Sequence, residues 1–129
     1  MSLILSAVEG MNVVTNPSTV TAVMAVAAPT GTKCKATATM HRDGDTVTVT
    51  AITVPSASAT IPDPGPYTVG FIATAAKCKA EGVLVLRQGD ESETINATPQ
   101  IPGSPDPVDY PVSFTVKITA AGQTKVKAQ

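Results

Sequence analysis

YTVGFIATAAKCKA, residues 67–80, is the stretch that decides the fold, because the chain uses its parts again. Its first half returns as Tyr110, Val112 and Phe114 in YPVSFTVKITAA. Its second half returns as KCKA at residues 33–36 and KVKA at residues 125–128. Between these landmarks Arg42-Asp43-Gly44-Asp45 matches Arg87-Gln88-Gly89-Asp90, and Asp63-Pro64-x-x-Tyr67 matches Asp106-Pro107-x-x-Tyr110. The matches keep one order at an offset of about 44 residues, the mark of an internal repeat. Each unit reads as strand, Gly-Asp turn, strand, Pro-rich loop, and a strand that begins with Tyr.

A unit this short cannot bury its own core. The two units, about 33–75 and 77–120, are therefore expected to pack on each other as one pseudo-twofold β-sandwich. Two separate beads, or chance similarity, are the competing readings. Residues 1–129 make one domain, with residues 1–15 an N-terminal arm or strand pair. The fold class is all-β with an Ig-like or Greek-key sandwich.

Composition agrees with this class. Hydrophobic residues are 43% of the chain but aromatics only 3%, with no Trp, so the core must be aliphatic. Alternating Thr and Val favour strands, and 11 Pro with 9 Gly mark many turns. Net charge is −1 and no basic run exists, which leaves nucleic-acid binding without an electrostatic footprint. MSLILSAVEGM lacks a preceding positive charge and meets Glu9 early, so it reads as a first strand rather than a signal peptide. No apolar run approaches the roughly 20 residues of a membrane helix. Cytoplasmic synthesis is the expectation.

Along the chain, residues 19–28 and 32–41 read as strands, with Cys34, Ala36, Ala38 and Met40 on one face of the second. Asp43-Gly44-Asp45 is the strongest hairpin signal, with residues 46–54 as the partner strand and Val47, Val49 and Ala51 on one side. Glu81-Gly82 is a turn or bulge, residues 91–97 a polar edge strand, and residues 110–120 and 124–128 a closing hairpin over Gly122-Gln123.

DPGPY at residues 63–67 resembles the Asp-x-Gly-x-Tyr corner of immunoglobulin-like sandwiches, here Asp63, Gly65 and Tyr67. In that family the Tyr hydroxyl ties the start of a strand to a nearby backbone carbonyl. GTKCKA at residues 31–36 is similar to a B strand of the same family. The chain departs from the family in lacking a core Trp, and Val108 replaces the glycine beside Tyr110. The resemblance implies a sandwich and carries no function.

Chemistry-bearing residues are few. Cys34 and Cys78 occupy a place that Val126 fills in the third KxKA, which favours buried free thiols over a disulfide or a metal site. His41, the single histidine, reads as a solvated strand-end residue. The carboxylates around Gly44 and Gly89 sit on predicted turn tips, where a hard cation is the minority reading. No phosphate loop, nucleophile elbow or paired-acid motif is present. The expected protein is not an enzyme, has no catalytic, cofactor or metal residues, and needs no cofactor. Its structural residues are Asp63, Gly65, Tyr67, Tyr110, Cys34, Cys78, Gly44 and Gly89.

By elimination the expected role is structural. In class and size the chain is similar to head decoration or cement proteins of tailed phages, and to Ig-like modules of phage tails. This similarity implies a virion accessory protein, assembled in the host cytoplasm, that binds the major capsid protein or other virion subunits. It would be a homo-oligomer without nucleic-acid or membrane partners, and its residues 1–15 would add as a strand to a neighbour. The alternatives are an Ig-like adhesion or carbohydrate-binding module of a bacterial surface protein, or a tail-tube or fibre subunit.

Overall fold

The computed structural model describes residues 4–30, 35–36, 38–54, 59–75, 77–80, 82–103, 105–123 and 127–128, and among them all repetitive secondary structure is strand. The chain begins with β1 (Ile4–Leu5), β2 (Asn12–Asn16) and β3 (Thr21–Val26). Next come β4 (Lys35–Ala36), β5 (Ala38–Thr39), β6 (Thr46–Val54), β7 (Ala59–Asp63) and β8 (Tyr67–Ile72). They are followed by β9 (Lys79–Ala80), β10 (Val83–Leu84), β11 (Glu91–Ser92) and β12 (Ile95–Ala97). Last are β13 (Gln100–Ile101), β14 (Val108–Asp109), β15 (Val112–Ala120) and β16 (Lys127–Ala128). No helix among the described residues is long and apolar enough to cross a membrane.

The two longest strands show why the sequence takes this form. In β15 the alternation VSFTVKITA buries Phe114, Val116 and Ile118 and leaves Ser113 and Thr119 exposed. That is the period of a strand with one face in the core. β6 begins the same way with Val47 and Val49 inside, but its phase then shifts and Ile52 and Val54 are the next buried residues. Ala51 absorbs the extra position at φ 52°, outside the β region, and is exposed. The expected inward Ala51 is thus corrected: a bulge lets the larger Ile52 take the core position. Fully burying such an aliphatic or aromatic side chain stabilises by about 1.5–3 kcal/mol.

All ladders are antiparallel, and lateral order places the strands β3, β6, β8, β11, β15, β2. The first and last of these, β3 and β2, are joined by residues 17–20 alone, so the sheet has to curl round on itself. Phe71, Phe114, Ile52, Ile95, Ile118 and Leu86 fill the inside. The sides of β2 and β3 that face each other share no ladder among the described residues. A smaller sheet, β7, β13 and β14, continues from one end of β6 and uses both Pro-rich segments.

One end of the roll is tied by three chain segments that bond in a ring. Ala7 N donates to Leu86 O (2.9 Å), Leu86 N to His41 O (3.0 Å), and His41 N to Ala7 O (3.0 Å). Two residues on, Glu9 N donates to Thr39 O, Asp43 N to Leu84 O and Gln88 N to Leu5 O, each at 2.8 Å. Each segment then turns through a glycine at positive φ, Gly10 at 94°, Gly44 at 88° and Gly89 at 98°. The turns close with matching bonds of 3.0 Å from Met11 N to Val8 O, Asp45 N to Arg42 O, and Asp90 N to Arg87 O.

Several local expectations are corrected by these pairings. The Asp-Gly turn at 43–44 does not close a hairpin, since β6 leaves it to pair with β3, β7 and β8. The expected strand over 32–41 folds back on itself, with Lys35 opposite Thr39 and Ala36 opposite Ala38. The segment 91–97 is divided: β11 lies between β8 and β15, whereas β12 pairs with β15 alone, and Ser92, Ile95 and Ala97 are buried. Of the strand expected to close a hairpin over Gly122-Gln123, residues 127–128 pair with β1 at the other end of the sequence, and residues 124–126 lie outside the described residues. Residues 12–15 of the expected arm belong to β2, which is held by β15 along its length. The turn at Gly82 stands as read, joining β9 to β10.

Candidate functional site

The residues singled out by the sequence fall at three places. Asp63, Gly65 and Tyr67 form a corner at the start of β8. Asp63 is buried; its Oδ2 accepts from Tyr67 Oη (2.5 Å) and from Thr98 N (2.8 Å), and its Oδ1 accepts from Gly65 N (3.0 Å). The resemblance led us to expect a backbone carbonyl as the tyrosine's acceptor; the acceptor is instead the Asp63 carboxylate. Burial alone would raise the Asp63 pKa, but the bonds from Thr98, Tyr67 and Gly65 together hold it below the ordinary value. The same bond to the carboxylate raises the pKa of the Tyr67 phenol. Tyr110 does not repeat this corner: its backbone N–H donates to Pro99 O, and Asp106 is exposed.

Gly44 and Gly89 lie in two turns braced in the same way. Asp45 Oδ1 accepts from Thr30 Oγ1 (2.5 Å), and its Oδ2 accepts from Arg42 N (2.9 Å). Asp90 Oδ1 accepts from Thr74 Oγ1, and its Oδ2 accepts from Arg87 N (2.9 Å). Arg42 Nη2 and Arg87 Nη2 donate to those same threonine hydroxyls, at 3.1 and 2.8 Å. Of the carboxylates expected at turn tips, Asp45 and Asp90 are turned inward as braces, while Asp43 and Glu93 are exposed. At the corresponding Met11 turn there is no carboxylate, and Val8 N donates to Ala121 O instead (2.9 Å).

Cys78 is a free thiol, half-buried with Met40 against Ala75, Ala80 and Val85. Cys34 lies outside the described residues. Among the described residues no cluster of three His, Cys, Asp or Glu side chains is placed to hold a metal ion.

His41 is the residue the sequence reading misplaced. It is 1% exposed, in the ring of three segments, and its Nδ1 is 2.9 Å from Asp45 Oδ2. The turn at Gly44 carries the chain back so that the carboxylate four residues on meets the imidazole. Burial by itself would raise the Asp45 pKa; the bonds from His41, Thr30 and Arg42 N more than offset this and hold it below the ordinary value. The Asp45 carboxylate accepts, so Nδ1 is the ring nitrogen that donates to it. The only local signal was His-x-x-x-Asp across a glycine turn.

Two concave features lie along the open seam between β2 and β3. A cavity of about 610 Å³ opens at one end, lined among others by Glu9, Met11, Val13, Met24, Val26 and His41. A second of about 300 Å³ lies toward the 17–20 connection, between Val14, Thr15, Val20 and Met24. On the outer surface Val14 and Val23 are 42% and 61% exposed. β3 keeps Ala22, Met24 and Val26 only half-buried, because β2 is not zipped against it.

Compared with known protein families, curated proteins and solved structures, the chain matches none.

Proposed function

We propose that this chain is a structural accessory protein of a virion, a head decoration or cement protein that stabilises a capsid lattice. The observation that carries the reading is the seam. β3 is bonded to β6 and β2 to β15, and their other sides present main-chain donors and acceptors without a ladder among the described residues. An extended segment of a neighbouring subunit adds to such an edge through main-chain bonds, while Val14 and Val23 supply apolar contact beside it. Many weak contacts of this kind across a lattice sum through multivalency. The accepting element in this reading is the seam, and residues 12–16 act from within the sheet rather than as a free arm. Partners are capsid or other virion subunits, with further copies of the chain around them.

The finer architecture belongs to the same proposal. We read the repeat as three copies rather than two, with Val8-Glu9-Gly10-Met11 as the copy that has lost its aspartate. One rolled sheet, rather than two facing ones, is then the natural product. Three KxKA segments precede the three ring segments in this scheme, the last meeting the first through β16 and β1.

The test is genetic and biochemical. Deleting the gene from its parent genome should give particles whose heads release DNA at lower temperature, and adding the purified chain back should restore them. Particles of unchanged stability, with no co-sedimentation of the purified chain, would overturn the proposal.

A further inference from the structure

We propose that the larger seam cavity is a binding site for a soft monovalent metal ion of the Cu(I) class, held by Met11 Sδ, Met24 Sδ and His41 Nε2. The argument starts from the three corresponding ring segments. Where His41 stands, the other two carry Ala7 and Leu86; where Met11 stands, the other two carry Asp45 and Asp90. Val8, where the other two carry Arg42 and Arg87, is a third departure; His41 and Met11 line one cavity, joined there by Met24. A buried imidazole in place of leucine is a burden on a core unless its nitrogens have work. One nitrogen has it: Nδ1 is fixed by Asp45 at 2.9 Å.

That carboxylate–imidazole pairing is the arrangement that orients a metal-binding histidine, holding the ring by Nδ1 and leaving Nε2 to a ligand. Thioether sulfurs are soft and weakly held by hard cations, so two methionines with one imidazole select Cu(I) over Ca²⁺, Mg²⁺ or Zn²⁺. Val13 and Val26 add apolar side chains to a lining that is polar in its larger part, and Glu9 there adds a favourable negative field. Neither observation depends on the virion role.

The probe is Ag(I), a redox-inert stand-in, added to the full chain carrying Cys34→Val and Cys78→Val so that thiols do not compete. Valine is the natural choice because Val126 holds the corresponding place in the third KxKA. Methionine methyl NMR follows Met1, Met11, Met24 and Met40 separately. The expected result is one ion per chain, with the Met11 and Met24 methyls shifting and the other two unmoved. Met24→Leu, nearly isosteric, should weaken binding by at least about tenfold, and His41→Leu should weaken it further. The proposal is overturned if the Met11 and Met24 methyls stay in place, if all four move together, or if Met24→Leu binds as tightly as the parent. Should His41→Leu fail to fold, the methyl pattern in the histidine-containing chain still decides.

Discussion

Asp63 gathers three donors from separate parts of the chain: Gly65 N beside it, Tyr67 Oη at the head of β8, and Thr98 N after β12. An asparagine has one acceptor atom in place of two carboxylate oxygens, so at least one of these half-buried bonds is lost. Asp63→Asn should cost about 1–3 kcal/mol at neutral pH. The sign of the pH effect follows from the lowered folded-state pKa. The stabilisation is complete above the unfolded carboxylate value, near 4, and disappears as pH falls through the lower folded value. Urea unfolding at pH 7, 4 and 3 should show the variant losing less stability on acidification than the parent. Asp45 and Glu91 share the sign, so the variant's acid slope is shallower and not flat. Parallel losses in the two proteins would refute the role given to Asp63. Ala51 offers the opposite test, a residue whose backbone φ of 52° suits glycine. Ala51→Gly should be neutral or stabilising by up to about 1 kcal/mol, and Ala51→Val should destabilise, both measurable by the midpoint of thermal unfolding.

At the scale of elements, the glycine turns separate backbone strain from steric exclusion. A Cβ on Gly44 or Gly89 meets nothing within 4 Å, whereas one on Gly65 would sit 2.8 Å from Val49 O. Gly44→Ala and Gly89→Ala should each cost about 1–2 kcal/mol, the strain of positive φ alone. Gly65→Ala should cost clearly more, because a strand carbonyl has to move; equal losses at all three would contradict the packing at the corner. These turns also explain what the sequence could tell. Arg-x-Gly-Asp was legible twice because its bonds are local: glycine sets φ, and the aspartate returns to the arginine N–H three residues back. The third turn was hidden because Met11 offers no carboxylate and Val8 bonds to Ala121, more than a hundred residues away. Strand partners were illegible for the same reason. Nothing within residues 38–54 says that β6 should reach β3 and β8 rather than its neighbour across the Asp-Gly turn, because that choice is made by core volume contributed from Phe71, Phe114 and Leu86. The His41–Asp45 pair and the seam cavity needed both pieces of information, so neither could be read in advance.

For the whole molecule, the seam and the meeting of the chain ends make one connected prediction. β6 and β15 are bonded on both sides, while β3 is bonded on one. Amide exchange should therefore be slowest in β6 and β15 and distinctly faster in β3, and uniform protection across the three would mean the seam is shut in solution. The same asymmetry says where the chain can be cut. Ile4 pairs with Ala128 and Leu5 with Lys127, so the two ends of the described chain lie side by side and a short linker can join them. Between Ser18 and Thr19, both exposed, a break falls in the connection of two strands that share no ladder. It sacrifices only the local tie of Thr15 Oγ1 to Val20 O and of Val20 N to Pro17 O. A circular permutant opened there should fold cooperatively and melt within roughly 10 °C of the parent, since exposed connections are the breaks that domains tolerate. The matched control is a permutant opened between Asp43 and Gly44. That break cuts the ring turn whose residues bond to Leu84 O and Phe71 O, and it should unfold the protein or lower its midpoint far more. If the seam permutant is the one that fails, the roll is held shut at β2 and β3 after all, and strand addition at that edge loses its structural basis.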